Sequence, residues 1–469
     1  MTQAAWWGKM PYAPLPKVRA MGLLGLLKRR RRRRVVVLGL DGVPFTVLRR
    51  LIDAGRMPRF AELAPQGSFV QADSVHPCVS SVAWTCYNTG RNPGKHDIFG
   101  FIDRRPGTYD VYIPNGSNLQ GKTVWEVLSA AGKRVIAVNI PGTYPPRPVN
   151  GLMVGGFLSP RLQGATYPSE LATRLQQMGY RVATEPGKAR QDKQAFIADV
   201  HEVFEARREA MFALMRQEDW DVLQVHFMAT DRINHFLLGQ WAQQDPTYGP
   251  AFEALYGRVD EMVGRVADAV DDATTLVCLS DHGFCPLKLE VNLNRWLQEQ
   301  GYLEELSGDP PRLDQITGAT RAYCLDPGRI YINVQGREAL GGVKPGREYD
   351  TLCGRIRDGL LQLKCPQTGA QVVKQVLAGA ELYHGPFAAH GPDLVVDPVD
   401  GYDIKGRLGR PELFSHSELS GMHTYGDAFW YIRGHEVSRR PGIIDGAPTV
   451  LSLLGEDIPE EMDGTPVTV

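Results

Sequence analysis

The stretch VVVLGLDG, residues 35–42, decides how the rest of the chain reads. Its unbroken apolar run, rich in β-branched valine, has the pattern of a strand buried on both faces. A carboxylate, Asp41, follows at once, and Gly42 then permits a turn. Residues 135–140 (VIAVNI), 222–227 (VLQVHF) and 275–279 (TLVCL) have the same form. Between them lie amphipathic segments with helical periodicity, notably residues 194–215 and 251–270. Buried strands alternating with helices predict an α/β protein: a mostly parallel central sheet with helices on both faces. In such a sheet, ligands bind outside the carboxyl ends of the strands.

Three of these four strands run into metal-ligating residue types. The first meets Asp41, the third leads to Asp231, and the fourth to Asp281 and His282. A single Asp after a strand is commonly a helix cap. Three sets at one sheet edge, two of them with a histidine, point instead to bound cations. In Asp231-Arg-Ile-Asn-His235 the Asp and His stand at i and i+4, on one helix face, where they can chelate one ion. The same spacing also makes plain surface pairs. In Ser280-Asp281-His282-Gly283-Phe284 the adjacent Asp and His cannot share a strand face, so the chain must turn, and Gly283 permits it. In PCVSSVAWTCYNTG, residues 77–90, Ser80 or Ser81 can open a helix running toward Asn88. Free backbone N–H groups there favour an anion, which suits a nucleophile, although serine is also an ordinary cap. His423, in SGMHTYG ahead of the apolar AFWYI, carries no signal alone.

The 469 residues are 43% hydrophobic and 22% charged, the balance of a globular protein. A net charge of −1 gives no general basicity toward nucleic acid. Seven scattered cysteines, without CxxC spacing, make neither a disulfide framework nor a zinc-finger grid and fit a reducing cytosol. No apolar run reaches the roughly 18–20 residues of a membrane span. The apolar stretch 21–27 (MGLLGLL) precedes a basic run from Lys28 to Arg34, the reverse of a secretory signal. The expectation is a cytoplasmic protein whose basic tail, residues 1–34, lacks fixed structure and touches anionic lipid weakly. Residues 285–392 interrupt the strand–helix pattern with a turn-rich GDPPRLD, a strand near 329–334 and a helix near 349–363. They read as a cap inserted between two parts of the core, 35–284 and 393–469.

Taken in order, DGV, PCVSSVAWTCYNTGRNPGKHDIFGF, DRINH, SDHGF and SGMHTYGD resemble the motifs of the type I phosphodiesterase/nucleotide pyrophosphatase family of the alkaline phosphatase superfamily. DGAPTVLSLLG at 445–455 and MDG at 462–464 are similar to the closing helix and turn of that superfamily. The resemblance implies an alkaline-phosphatase-like fold and two metal sites. One would be held by Asp231, His235 and His423. The other would be held by Asp41, Asp281 and His282, completed by the nucleophile hydroxyl. The family's nucleophile lies ten residues before the glycine of the TG pair, which here selects Ser80, with Ser81 as runner-up. Zinc is the first choice of ion and manganese the second. The implied reaction is hydrolysis of a small phosphodiester, or a related phosphonate or pyrophosphate ester, through a phosphoserine.

One position departs from the family pattern. Phe101 stands where nucleotide pyrophosphatases carry a phosphate-binding asparagine. An apolar wall there is expected to offer no donor to a second charged oxygen, favouring esters with apolar or aromatic leaving groups over nucleotides. His96, in the same stretch, reads as a supporting residue and not a ligand. A phosphomonoesterase or phosphotransferase on the same core is the nearest alternative. A non-catalytic binding protein on this fold would be expected to have lost ligands, and all six Asp/His positions are filled. Cys78-Val-Ser-Ser-Val lacks the Pro and Arg of a sulfatase motif, and Gly39-Leu-Asp-Gly-Val is not the GxGxxG of a dinucleotide site.

Overall fold

A computed structural model describes residues 32–185 and 187–468. The apolar stretch 21–27 and the first part of the basic run, with their expected lipid contact, lie outside the described residues. The four strands read from the sequence form the middle of an eight-stranded sheet. Arg34–Leu40 lies between Thr274–Leu279 and Val222–Phe227; Val135–Ile140 and Gly151–Gly155 continue outward, and all five run parallel. The margins are antiparallel, with Ala428–Arg433 and Gly67–Ala72 on one side and Thr166–Tyr167 on the other.

Alternation along Arg34–Leu40 explains its continuous apolar run. Val36, Leu38 and Leu40 face the helices Lys193–Gln217, Ala229–Ala242 and Tyr248–Ala269. Val35 and Val37 face Ser80–Thr89, Val124–Ala130 and Gly446–Leu454. Each face is a core, and each such side chain contributes about 1.5–3 kcal/mol by leaving water. Gly39 is level with His226 on one neighbour and Leu279 on the other, so the three strands deliver their following residues at one height. A Cβ at Gly39 would lie 2.6 Å from the Trp84 ring, so glycine there lets the helix Ser80–Thr89 approach the sheet.

Four strands, Ala322–Leu325, Arg329–Ile332, Leu394–Pro398 and Val373–Ala378, build a second, antiparallel sheet around a core of its own. This sheet crosses the limit at 392 that hydropathy suggested, because Leu394–Pro398 is as apolar as a strand of the main core. Tyr402–Lys405 and Phe414–Ser415 likewise pair with Leu289–Asn292, and the chain rejoins the central sheet only at Ala428–Arg433. Two buried ion pairs tie this layer to the segment bearing Phe101: Arg104 Nη1–Glu338 Oε2 at 2.7 Å and Arg329 Nη1–Asp103 Oδ1 at 2.5 Å. Among the described residues no helix is long and apolar enough to cross a membrane.

Candidate active site

Asp41 leaves the end of its strand into a turn that Gly42 makes with φ +64°, and a Cβ there would lie 2.5 Å from the Phe284 ring. The Asp41 carboxylate is divided between two tasks. Its Oδ2 accepts from Trp84 Nε1 at 3.0 Å and His226 Nε2 at 2.6 Å. Its Oδ1 faces Ser80, whose Oγ donates to it at 3.2 Å and lies 3.2 Å from His282 Nε2. Ser80 is the first residue of the helix Ser80–Thr89, held there by an extended Val79. Asp281 accepts from the Gly42 N–H through Oδ1 at 3.1 Å. Its Oδ2 lies 3.4 Å from His282 Nε2 and is buried with no hydrogen-bond partner among the described residues. Asp41, Asp281 and His282 thus offer ligand atoms within 4.8 Å of one another.

The second set adjoins the first. Asp231 and His235 lie one helical turn apart on Ala229–Ala242, and Asp231 Oδ1 is 3.4 Å from Nε2 of both His235 and His423. The two imidazole Nε2 atoms are 3.1 Å apart. His423 arrives on Gly421–Thr424, which pairs antiparallel with Gly283–Pro286 and sets His423 opposite Phe284. His282 bridges the sets: its ring stacks on His423 at 3.8 Å, and it shares a ligand cluster with Asp231 and His423 as well.

The histidines are oriented alike. His235 Nδ1 lies 3.2 Å from the Gly421 carbonyl, His282 Nδ1 3.1 Å from that of Gly283, and His423 Nδ1 3.0 Å from that of Cys78. A carbonyl only accepts, so each Nδ1 carries a proton and each Nε2 faces inward, where it can offer a lone pair to a cation. This is how protein backbones orient metal-binding imidazoles. Electrostatics divide the histidines: burial lowers His423, but the hydrogen bond and charge of Asp231 outweigh it and raise it, while His282 and His235 are lowered. Burial, then the charges of Asp41 and Asp231, push the Asp281 carboxyl well above its ordinary value. Burial also raises Asp41, but the hydrogen bond and charge of His226 outweigh it and leave Asp41 low. Burial pushes His282 down to about 3 and His235 to about 4, so both are neutral at pH 7. Three aspartates facing three inward Nε2 atoms, with one carboxyl oxygen of Asp281 orphaned, form a donor set that fits divalent cations.

All seven residues singled out from the sequence therefore meet at one place. Ser81 does not: its buried hydroxyl has no partner among the described residues and lines a separate apolar cavity of about 310 Å³ with Ile98, Phe101 and Phe157. His96 also sits apart, with Nε2 3.3 Å from Cys86 Sγ. Ser80 opens instead into a cavity of about 230 Å³ shared with Asp231, His235 and His423 and walled by Phe101, Ile102, Ile113, Phe157 and Leu158. Phe101 supplies the apolar wall foreseen for it. Arg232 lines the same cavity, beyond the Phe101 wall. It went unread because its neighbours Asp231 and His235 absorbed the motif. His226 and Trp84 were also missed. The signal was a histidine inside an otherwise apolar strand and a Trp four residues after Ser80.

A family model described as type I phosphodiesterase/nucleotide pyrophosphatase matches residues 35–426. No curated protein sequence matches the chain. Among solved structures, phosphonoacetate hydrolase from Sinorhizobium meliloti 1021 is similar at 17% identity and TM-score 0.63, over 90% of this chain and 96% of that one. Murine ectonucleotide pyrophosphatase/phosphodiesterase 5 is similar at 13% identity and TM-score 0.54, over 91% and 96%. The alkaline phosphatase PafA is similar at 15% identity and TM-score 0.55, over 93% and 98%.

Proposed function

The chain belongs to the type I phosphodiesterase/nucleotide pyrophosphatase family and is a hydrolase of phosphoric ester bonds; on that premise we propose that it cleaves small phosphodiesters, or related phosphonate and pyrophosphate esters, through a covalent phosphoserine on Ser80. The observation that carries this reading is the position of Ser80 Oγ, 3.2 Å from both Asp41 and His282 at a helix start that faces the Asp231 set. Asp41, Asp281 and His282 with Ser80 would hold one divalent cation, and Asp231, His235 and His423 a second. Such ions, when bound, lower the pKa of a hydroxyl and neutralise charge on a phosphoryl group. The chain's own part is placement. Trp84 and His226 pin Asp41, the buried helix holds Ser80 in place, and the phenylalanine wall sets apolar surface beside the ester. Zinc suits these ligands best, with manganese next.

Purified protein is expected to carry about two divalent ions per chain, counted by elemental analysis. Chelation should stop hydrolysis of a nitrophenyl diester, and added zinc or manganese should restore it. Full activity in metal-free protein would end this reading.

The wall supports a substrate preference. Ile102, Ile113 and Leu158 are 41%, 55% and 46% exposed, so the mouth presents apolar surface to whatever enters. An ester with an aryl or alkyl leaving group gains contact there. A nucleotide brings a polar sugar and a row of charges. We expect nitrophenyl diesters to exceed ATP in kcat/KM by about tenfold or more, on the order of the 1–3 kcal/mol that such pocket contacts discriminate. Phe101→Asn should narrow the gap by raising nucleotide turnover. ATP proving the better substrate by tenfold would count against the wall as the determinant.

A further inference from the structure

We infer that Arg232 is a specificity-determining residue that binds a second anionic oxygen of the substrate, beyond the single negative charge of a diester phosphoryl group. The inference rests on the phosphoesterase reading and deepens it. Arg232 is the sole Lys or Arg among the described residues lining the cavity of about 230 Å³ into which Ser80 opens; Arg50, Lys374 and Lys405 line the larger adjoining cavity of about 860 Å³, which shares Phe101, Ile102, His235 and His423 with it. Its guanidinium has no carboxylate within ion-pair reach among the described residues. Its contacts are the Met228 thioether, to which Nη2 donates at 3.5 Å, and the face of the Phe157 ring, 5.1 Å from its centroid. Both position the planar group while leaving most of its N–H donors free.

The placement compensates the cation only in part. Arg232 sits in the first turn of the helix Ala229–Ala242, where the backbone dipole disfavours positive charge. Asp231 precedes it and attracts it without forming an ion pair, and that same carboxylate is assigned to a divalent ion. A half-buried guanidinium held on an aromatic face, with free donors aimed at an ester site, matches a carboxylate or phosphoryl oxygen in fork geometry. Within this small cavity one such group provides for one additional charge beside the reacting phosphoryl group. The oxygen has two possible sources of the same chemistry: the phosphoryl group of a monoester, or a carboxylate on the leaving group.

Three esters separate the sources, assayed with metal-loaded wild type, Arg232→Met and Arg232→Lys. Methyl 4-nitrophenyl phosphate carries one charge. 4-Nitrophenyl phosphate carries the second at phosphorus. The methyl ester of a carboxylated nitrophenyl phosphate carries it on the leaving group. Arg232→Met keeps the aliphatic stem that covers Phe157, so packing is preserved. We expect its kcat/KM for one of the doubly charged esters to fall at least about tenfold further than for the singly charged one, on the scale of a charge-assisted hydrogen bond. Arg232→Lys should recover part of the loss. Which ester falls names the source. Binding of inorganic phosphate, measured by calorimetry on the same proteins, should weaken in parallel if the source is the phosphoryl group and stay level if it is the leaving group. An equal fall for all three esters, or no fall, overturns the inference while leaving the hydrolase intact. Absence of turnover of every ester by metal-loaded wild type would mark failure of the parent reading, and the inference would fall with it.

Discussion

Ser80→Ala is expected to lower kcat by about 10³-fold or more while leaving the fold in place. The hydroxyl is one small group at the start of a helix that no side chain caps, and Ala is at ease there. Its removal leaves Trp84 and His226 on Asp41, and Asp281 on the Gly42 N–H, so the surroundings keep their order. What is lost, on the proposed mechanism, is the atom that attacks phosphorus. Attack by Ser80 forms the Oγ–P bond as the leaving oxygen departs on the opposite side, inverting configuration. Water then attacks the phosphoserine from that opposite side and inverts it again. A chiral phosphorothioate diester should therefore be hydrolysed with net retention. Ser81→Ala supplies the control, since its hydroxyl faces the other cavity. It should be far milder. Net inversion, or an inactive Ser81→Ala beside an active Ser80→Ala, would remove Ser80 from its role.

Asp281→Ala should be nearly as damaging, costing about 10³-fold in kcat and one of the two ions, because ligands of one site act as a unit. Its effect on stability should run the other way. The folded protein without metal holds the Asp281 carboxyl well above its ordinary value of 3.8, through burial and the charges of Asp41 and Asp231. A carboxyl whose pKa is raised by folding binds its proton more tightly in the native state. Its contribution is thus favourable at low pH and is lost as pH climbs from the unfolded value through the raised folded one. At neutral pH the ionised group weighs against the fold. In chelator, Asp281→Ala should melt at or above the wild-type temperature at pH 7 and show less loss of stability between acid and neutral pH. With metal present, wild type should regain the advantage. A variant that melts well below wild type in chelator would mean that Asp281 serves the fold through its bond to Gly42 more than it strains it. Near-normal turnover would contradict its assignment as a ligand.

Several of these positions were readable because local chemistry and chain order coincide. The residue run 35–40 is apolar throughout since the strand is buried on both faces, and a strand of that kind in an α/β chain must deliver Asp41 at the ligand edge. The i, i+4 pair Asp231 and His235 is fixed by helical periodicity alone. Asp281 and His282 follow a strand end, a local feature, although Gly283 opens the next strand instead of making the expected turn. The Ser80 helix start was likewise local, although Ser80 and Ser81 could not be separated by spacing without the family resemblance.

Tertiary structure decided the rest, and for a physical reason: hydropathy records whether a residue is buried, not against what. Leu394–Pro398 reads as a core strand and belongs to the second sheet. His423 has no local signal, because its place beside His235 and His282 comes from pairing between Gly421–Thr424 and Gly283–Pro286, segments far apart in the chain. Only packing turns Ser80 toward Asp41 and Ser81 toward the neighbouring cavity. Trp84 and His226 meet Asp41 because Gly39 leaves room for an indole and the parallel register sets His226 level with it. The charge of Arg232 was plain in the sequence, but its lack of an ion-pair partner among the described residues, and the Phe157 ring that holds it at the mouth, exist only once the helix and the loop are folded together.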